Sequence, residues 1–477
     1  MSPQYEVFDF LKFKDIVVHR LKFTVPLDYE SPQGTKISIA ASVVQKFSAT
    51  LHADKKLNHS TLCIPDDAKL ICYIQGGPGF PCAVPTSNSG YTKVLLDKGY
   101  SVVYLDQRGT GFSTPLEVGT INKYVAPKEN ETENELAARQ LEFVLHFRAD
   151  SIVEDLEHIR KDLLGEAKWS LIGQSYGGFT SFTYLSKYAE FVKEVFITGG
   201  VPPIGYTSDQ VYEVTYDRTR ERNEHYYAKY PEDSKKVREI LTYLDNHNTR
   251  LPNGGNLSVE RFQQLGINFG HFGGTDSIHQ IVLKFSYELK LLGGPSYHTL
   301  KSIQDMSSFD TNIIYAFFLE AIYCDGNDSK TLLTNWSADR LRYAPGNEKF
   351  VFKKDAEDDQ VYFFGEMIYK SIYDDFTELR PFKALGQLLH SNQKWSKLYD
   401  PEVLSKITWE KVPIVAATYV YDQYVDFDVT RQVKKNIFKN NGNLRQFITS
   451  EFFHDGVRAD PEKVIGKLHD LLDGEAD

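Results

Sequence analysis

Along the chain, apolar and polar residues first alternate and then gather into short, fully apolar runs. Residues 15 to 46 contain IVVHRLKFTVPLDYE and TKISIAASVV, whose alternation predicts half-buried strands in an antiparallel opening. Two further segments, AKLICYIQGGPGFPC and GYSVVYLDQRGTGFS, are each an apolar run of strand length closed by a glycine-rich loop. In DSIVEDLEHIRKDLLG, Ile152, Leu156, Ile159 and Leu163 share one helical face. Ser151 and Glu154 have the spacing of a capping box at its start, and Gly165 marks its stop. KWSLIG then reads as a strand, GGFTSFTYLSKYAEF as a helix and VKEVFITGG as another strand. This succession predicts an α/β fold with a mostly parallel sheet covered by helices.

Past GGVPPIG (Gly199 to Gly205) the pattern becomes helical and aromatic, through QVYEVTYDRTRERNEHYYAKY, SKKVREILTYL and TNIIYAFFLEAIY. Strand grammar returns only at KVPIVAAT (Lys411 to Thr418) and LRQFITS (Leu444 to Ser450), and DPEKVIGKLHDLLD closes as a helix. The predicted organisation is a sheet domain formed by residues 1–202 and 401–477, interrupted by a helical cap at 203–400. A chain of 477 residues is long enough for both units.

Composition narrows the function classes. Apolar content of 41% with 25% charged residues belongs to a folded globular chain. The 54 Lys plus Arg against 65 Asp plus Glu give a net charge of −11, which disfavours nucleic acid and anionic membranes. No run approaches the roughly 18 apolar residues of a membrane span. The first twenty residues carry acids inside their apolar stretch and lack a small-residue cleavage site, so the expected location is cytoplasmic. Cys63, Cys72, Cys82 and Cys324 match neither a disulfide framework nor zinc-site spacing and read as free thiols. The sequons at Asn58, Asn130, Asn256, Asn327 and Asn335 are then expected to go unused. No metal or organic cofactor is indicated. The oligomeric state stays open.

The chemistry centres on SLIGQSYGGF. A Gly-x-Ser-x-Gly pattern is weak by itself, but Ser175 stands where a strand ends and a helix begins, the turn that exposes a nucleophile above a parallel sheet. A serine needs a base, and His454 in SEFFHDG lies between the last strand and the last helix. The orienting acid belongs after the penultimate strand, where PIVAATYVYDQYVDFD offers Asp422, Asp426 and Asp428; Asp422 comes first after the strand, with Asp426 as runner-up. The chain order Ser175, Asp422, His454 is that of α/β-hydrolases rather than of chymotrypsin or subtilisin. Backbone donors for an oxyanion are expected from Gly77 in QGGPG and from Tyr176. DQRGTGFS has no phosphate-binding spacing, and Arg108 within it is expected to tie loops together. Cys82 lies just past the glycine loop, so bulky thiol reagents are expected to inhibit.

Taken together, QGGPG, DQRGTGFS and GQSYG resemble the motifs of the proline iminopeptidase (prolyl aminopeptidase) family of α/β-hydrolase serine peptidases, and more closely its fungal-type members. Gln75 stands where that family usually has His, and Tyr176 where it usually has Trp; neither change removes a backbone donor. The resemblance covers roughly residues 15–205 and 405–477. It implies release of an N-terminal residue, preferably proline, from peptide substrates, with cap glutamates holding the free ammonium. The segments RNEHYYAKYP and FFLEAIY then nominate Glu224 and Glu320, with Tyr226, Tyr227, Phe317 and Tyr323 as candidate walls of a proline-sized pocket. A small-molecule esterase or amidase on the same fold is the alternative, and an N-acetylated proline substrate separates the two.

Overall fold

The computed structural model describes residues 4–48, 62, 64, 68–327, 329–356, 360–439 and 442–475. Among these residues, nine strands form one sheet: β1 (Tyr5–Lys12), β2 (Ile16–Pro26), β3 (Lys36–Lys46), β4 (Lys69–Ile74), β5 (Tyr100–Asp106), β6 (Trp169–Gln174), β7 (Val192–Thr198), β8 (Ile414–Tyr419) and β9 (Arg445–Thr449). Their spatial order is β1-β2-β3-β5-β4-β6-β7-β8-β9. The first three strands are antiparallel, and β3 meets β5 antiparallel. From β5 onward every pairing is parallel. The predicted antiparallel opening and parallel centre are both present. β1 precedes the predicted strands; YEVFDFLK alternates too and adds an antiparallel edge to the sheet.

Alternation along the central strands fixes what covers each face. Leu70, Cys72 and Ile74 of β4, with Val103 and Leu105 of β5, pack on one side, where the helices Ala149–Leu164 and Tyr176–Tyr188 lie. Ile71, Tyr73, Val102 and Tyr104 face the other side, against the helices Gly90–Asp97 and Pro461–Asp473. Helices on both faces are what a parallel sheet requires, because neither face can be left to water.

The helix Ala149–Leu164 begins two residues before the predicted capping box, so Ser151 lies inside its first turn and no side chain caps its start. Gly165 ends it as expected, at φ 60°. Arg108 does tie loops together. Its guanidinium holds Asp155 through two bonds of 2.7 Å and donates to the carbonyls of Pro26, Leu27 and His146.

Between β7 and β8 the chain is helical, led by the helices Ser208–Lys229, Asp233–Asn246 and Gly274–Leu292. The apolar stretch predicted as one helix at 311–323 is instead a short helix, Ile313–Phe318, followed by a 3₁₀ turn, Ala321–Tyr323. Apolar residues of this segment, among them Tyr226, Phe262 and Phe285, join the same buried cluster as the sheet face. No described helix is long and apolar enough to cross a membrane.

Candidate active site

Ser175 caps the start of the helix Tyr176–Tyr188 at φ 56° and ψ −126°, a backbone conformation that an L residue adopts only when its surroundings force it. The forcing is visible in three glycines. A Cβ on Gly177 would lie 1.9 Å from the carbonyl oxygen of Ile74, one on Gly178 would lie 2.2 Å from that of Gly200, and one on Gly173 would lie 2.5 Å from that of Gly177. The helix is thus pressed against β4 and β7 at its first turn, and Ser175 is lifted out at the bend. Its N–H donates to the Thr198 carbonyl at 2.9 Å, which fastens the elbow to the end of β7.

His454 and Asp422 meet across the ends of β8 and β9. His454 Nδ1 and Asp422 Oδ2 are 2.7 Å apart, and both residues are buried. The other carboxylate oxygen of Asp422 accepts the N–H groups of Tyr424 at 2.8 Å and Val425 at 3.0 Å. That leaves Asp422 a fixed charge aimed at one ring nitrogen. Burial acts to lower the His454 pKa, but the charge and hydrogen bond of Asp422, with Glu366 adding to them, hold it above the ordinary histidine value. Asp426, the runner-up, is occupied elsewhere: it caps the helix Phe427–Ile437 through the Val429 N–H and pairs with Arg218 at 2.8 Å.

Ser175 and His454 face a common cavity of about 500 Å³, which Gly77 also lines. Tyr176 is the first residue of its helix, so its N–H has no acceptor within the helix and is available at the elbow. The Tyr176 ring is not on the cavity wall; it is buried beside Phe179, with ring centroids 6.4 Å apart. Gln75 braces the glycine loop. Its Oε1 accepts from the Gly76 N–H at 2.9 Å, its Nε2 donates to the Pro81 carbonyl at 3.3 Å, and its own carbonyl accepts from Gln107 at 2.8 Å.

The nominated cap acids do not reach this cavity. Glu224 is exposed on the outer face of the helix Ser208–Lys229. Glu320 is buried, but its carboxylate accepts the Ser337 and Ala338 N–H groups at 3.1 and 3.0 Å and pairs with His390 at 3.0 Å, a structural commitment. The acid on the wall is Glu366, the one carboxylate among the lining residues. Burial lifts its pKa to about 7, against the opposing influence of His454 and of the Tyr315 hydroxyl, which donates to Oε1 at 2.6 Å. The nominated aromatics are likewise core. Tyr226 bonds Asp233, Tyr227 bonds the Val361 carbonyl, Phe317 packs on Phe382, and Tyr323 packs on Tyr212. Phe80, Tyr91, Tyr315 and Tyr424 line the cavity instead, with Ile267 and Met306.

His271 also lines the cavity, its pKa lowered first by burial and then by the neighbouring His454 charge. Cys82 does not line it. The thiol is buried, donates to the Leu105 carbonyl, and is pushed well above its ordinary pKa by burial and by Asp106, so the expected inhibition by thiol reagents loses its basis.

The sheet order and the helical segment between β7 and β8 define an α/β-hydrolase, and a family model described as alpha/beta hydrolase fold matches residues 69–281. The chain is 36% identical over 446 residues to a proline iminopeptidase of Aeromonas sobria, with 94% of each chain covered. It is 32% identical over 466 residues to the proline iminopeptidase aneH of Aspergillus aculeatus, covering 96% of this chain and 94% of that one. The chain therefore belongs to the proline iminopeptidase family. Among solved structures it is similar to a proline iminopeptidase of Mycobacterium smegmatis, at 12% identity and a TM-score of 0.37, covering 96% of this chain and 100% of that one.

Proposed function

We propose that this enzyme is a serine aminopeptidase that releases an N-terminal residue, preferentially proline, from peptides, with residues 203–400 acting as a cap over the sheet domain. Ser175 Oγ attacks the carbonyl of the first residue. His454, oriented by Asp422, accepts the serine proton, passes it to the leaving amine, and then activates water against the acyl-enzyme. The Gly77 and Tyr176 N–H groups receive the oxyanion. Glu366, on the cavity wall, fills the role expected of Glu224 and Glu320. Ionised, it holds the substrate ammonium, while Phe80, Tyr315 and Ile267 offer an apolar wall to the prolyl ring.

The observation that carries this reading is the meeting of Ser175, His454 and a single half-buried carboxylate, Glu366, in one cavity. An N-acylated substrate brings no cation to Glu366 and leaves that carboxylate, bonded among the described residues only by the Tyr315 hydroxyl, without a counter-charge, which disfavours such a substrate. Cys72, Cys82 and Cys324 are unpaired buried thiols, which supports a reducing compartment and a cytoplasmic location.

The test is chromophore release from proline, alanine, leucine and N-acetylproline anilides by the wild type and by Ser175→Ala. Serine-dependent cleavage confined to the free amines and fastest for proline is the expected result. Failure on all four, with turnover of a small ester, would make the protein an esterase instead.

A further inference from the structure

The cavity carries a second fixed charge that the reaction as described does not use. Arg458 lies in the short helix Gly456–Ala459, four residues after His454, and reaches the cavity wall. Its Nη2 donates to Gln174 Oε1 at 2.9 Å and to Gln75 Oε1 at 3.3 Å. Both partners are neutral amides. Among the described residues, Nε and Nη1 have no acceptor, and no Asp or Glu pairs with the group. The arginines that build the fold are different: Arg108, Arg160, Arg218 and Arg342 each hold a carboxylate, Asp155, Glu157, Asp426 and Glu260 respectively. Arg458 is also exposed rather than sealed in, so its free edge is presented to whatever enters.

Its placement says which part of a substrate it would meet. Gln174 immediately precedes Ser175, and Gln75 opens the loop that carries Gly77, so the guanidinium is moored to both halves of the acyl-transfer machinery from the sheet side. Glu366 is held by Tyr315 on the cap side, and the two charges form no ion pair with each other. His454 feels both, with opposite signs. A cavity with a carboxylate on one wall, a guanidinium on another and the catalytic imidazole facing each of them is complementary to a short zwitterion. One residue beyond the scissile bond adds only ~3.5 Å of extended chain. A dipeptide places its α-carboxylate at that point, whereas a longer peptide places an uncharged amide there.

We propose that Arg458 binds the α-carboxylate of the leaving residue through its free guanidinium edge, so that the preferred substrates are dipeptides with N-terminal proline. This rests on the aminopeptidase reading above. Arg458 is then a specificity residue, acting on the substrate and not on the triad.

The test compares kcat/KM for prolyl-alanine, prolyl-alaninamide and prolyl-alanyl-alanine in the wild type, Arg458→Gln and Arg458→Glu. The wild type is expected to favour the free dipeptide over its amide by roughly tenfold to a hundredfold. Arg458→Gln should bring that ratio near one, and Arg458→Glu should invert it. If both variants fold poorly, raising salt in the wild type should erode the preference for the acid over the amide. Equal cleavage of acid and amide by the wild type, or a preference that survives in Arg458→Gln, would overturn the inference while leaving the aminopeptidase reading intact. Cleavage of neither, with turnover of a small ester, would overturn both.

Discussion

Two buried carboxylate–imidazole pairs, one at the sheet and one in the helical segment between β7 and β8, share nearly the same chemistry and differ in what lies beyond them. Asp422 holds His454 at 2.7 Å and accepts two backbone N–H groups; Glu320 holds His390 at 3.0 Å and also accepts two backbone N–H groups. The far side of His454 faces the cavity that contains Ser175. His390 is walled in: its ring stacks on Trp336 at 3.6 Å, and its Nε2 is buried without a partner. A carboxylate that fixes a histidine is therefore a device for orientation, and in the proposed reading it serves catalysis only where the second ring nitrogen opens onto a cavity shared with a serine.

The largest expected effect is at Ser175, the proposed nucleophile beside the sheet pair. Ser175→Ala should lower kcat by at least about four orders of magnitude and leave the melting temperature nearly unchanged. Asp422→Asn should cost about 10⁴-fold in kcat, because the wrong tautomer of His454 is then favoured. Its counterpart Glu320→Gln should cost about 1–3 kcal/mol of stability, read by denaturant melts, with kcat largely retained. If Glu320→Gln stopped turnover in a fully folded protein, the contrast between the two pairs would fail.

These pairs also explain what was legible in the sequence. Ser175, Asp422 and His454 each follow a strand of the parallel sheet, and strand-end chemistry is local: an apolar run, a glycine turn and a polar residue in sequence register. The glycines around Ser175 are readable for the same reason, since their role is to let two backbones touch. The acids between β7 and β8 are not local. Glu320 in FFLEAIY and Glu366 in FFGEMIYK are both single acids inside strongly apolar stretches, a signal that each is drawn toward the interior. Nothing in either stretch tells which one turns to the cavity and which one caps the helix Ser337–Leu341. That choice is made by tertiary packing, and Glu366 lies outside any helix or strand, where periodicity has nothing to say.

A sharper form of the comparison uses Glu366. Glu366→Gln should lower kcat/KM for free-amine substrates by roughly tenfold to a hundredfold and change turnover of a simple ester far less. Equal losses on both would remove it from amine recognition. The pH dependence follows from the same two groups. His454 must be neutral to act as base, and its pKa is raised, so activity falls as pH drops through a value above the ordinary histidine range. Glu366 must be ionised to hold an ammonium, and it protonates near 7. The acid limb of kcat/KM should therefore be steeper for proline anilide than for an ester, and Glu366→Gln should reduce it to a single proton. The smallest expected effect is at Cys82, whose buried, protonated thiol should label slowly in the native enzyme while activity persists. Rapid labelling with matching inhibition would show that the loop opens more than its packing implies.

The most direct measurement is covalent. The protein is treated with a sulfonyl fluoride across pH 5 to 9, and the adduct is located by peptide mass mapping in the wild type, Asp422→Asn and Glu320→Gln. A single adduct on Ser175, formed faster as His454 deprotonates, slowed severely by Asp422→Asn and little changed by Glu320→Gln, is the predicted result. An adduct on another residue accompanying loss of activity, or a Ser175 labelling rate indifferent to Asp422→Asn, would contradict the account.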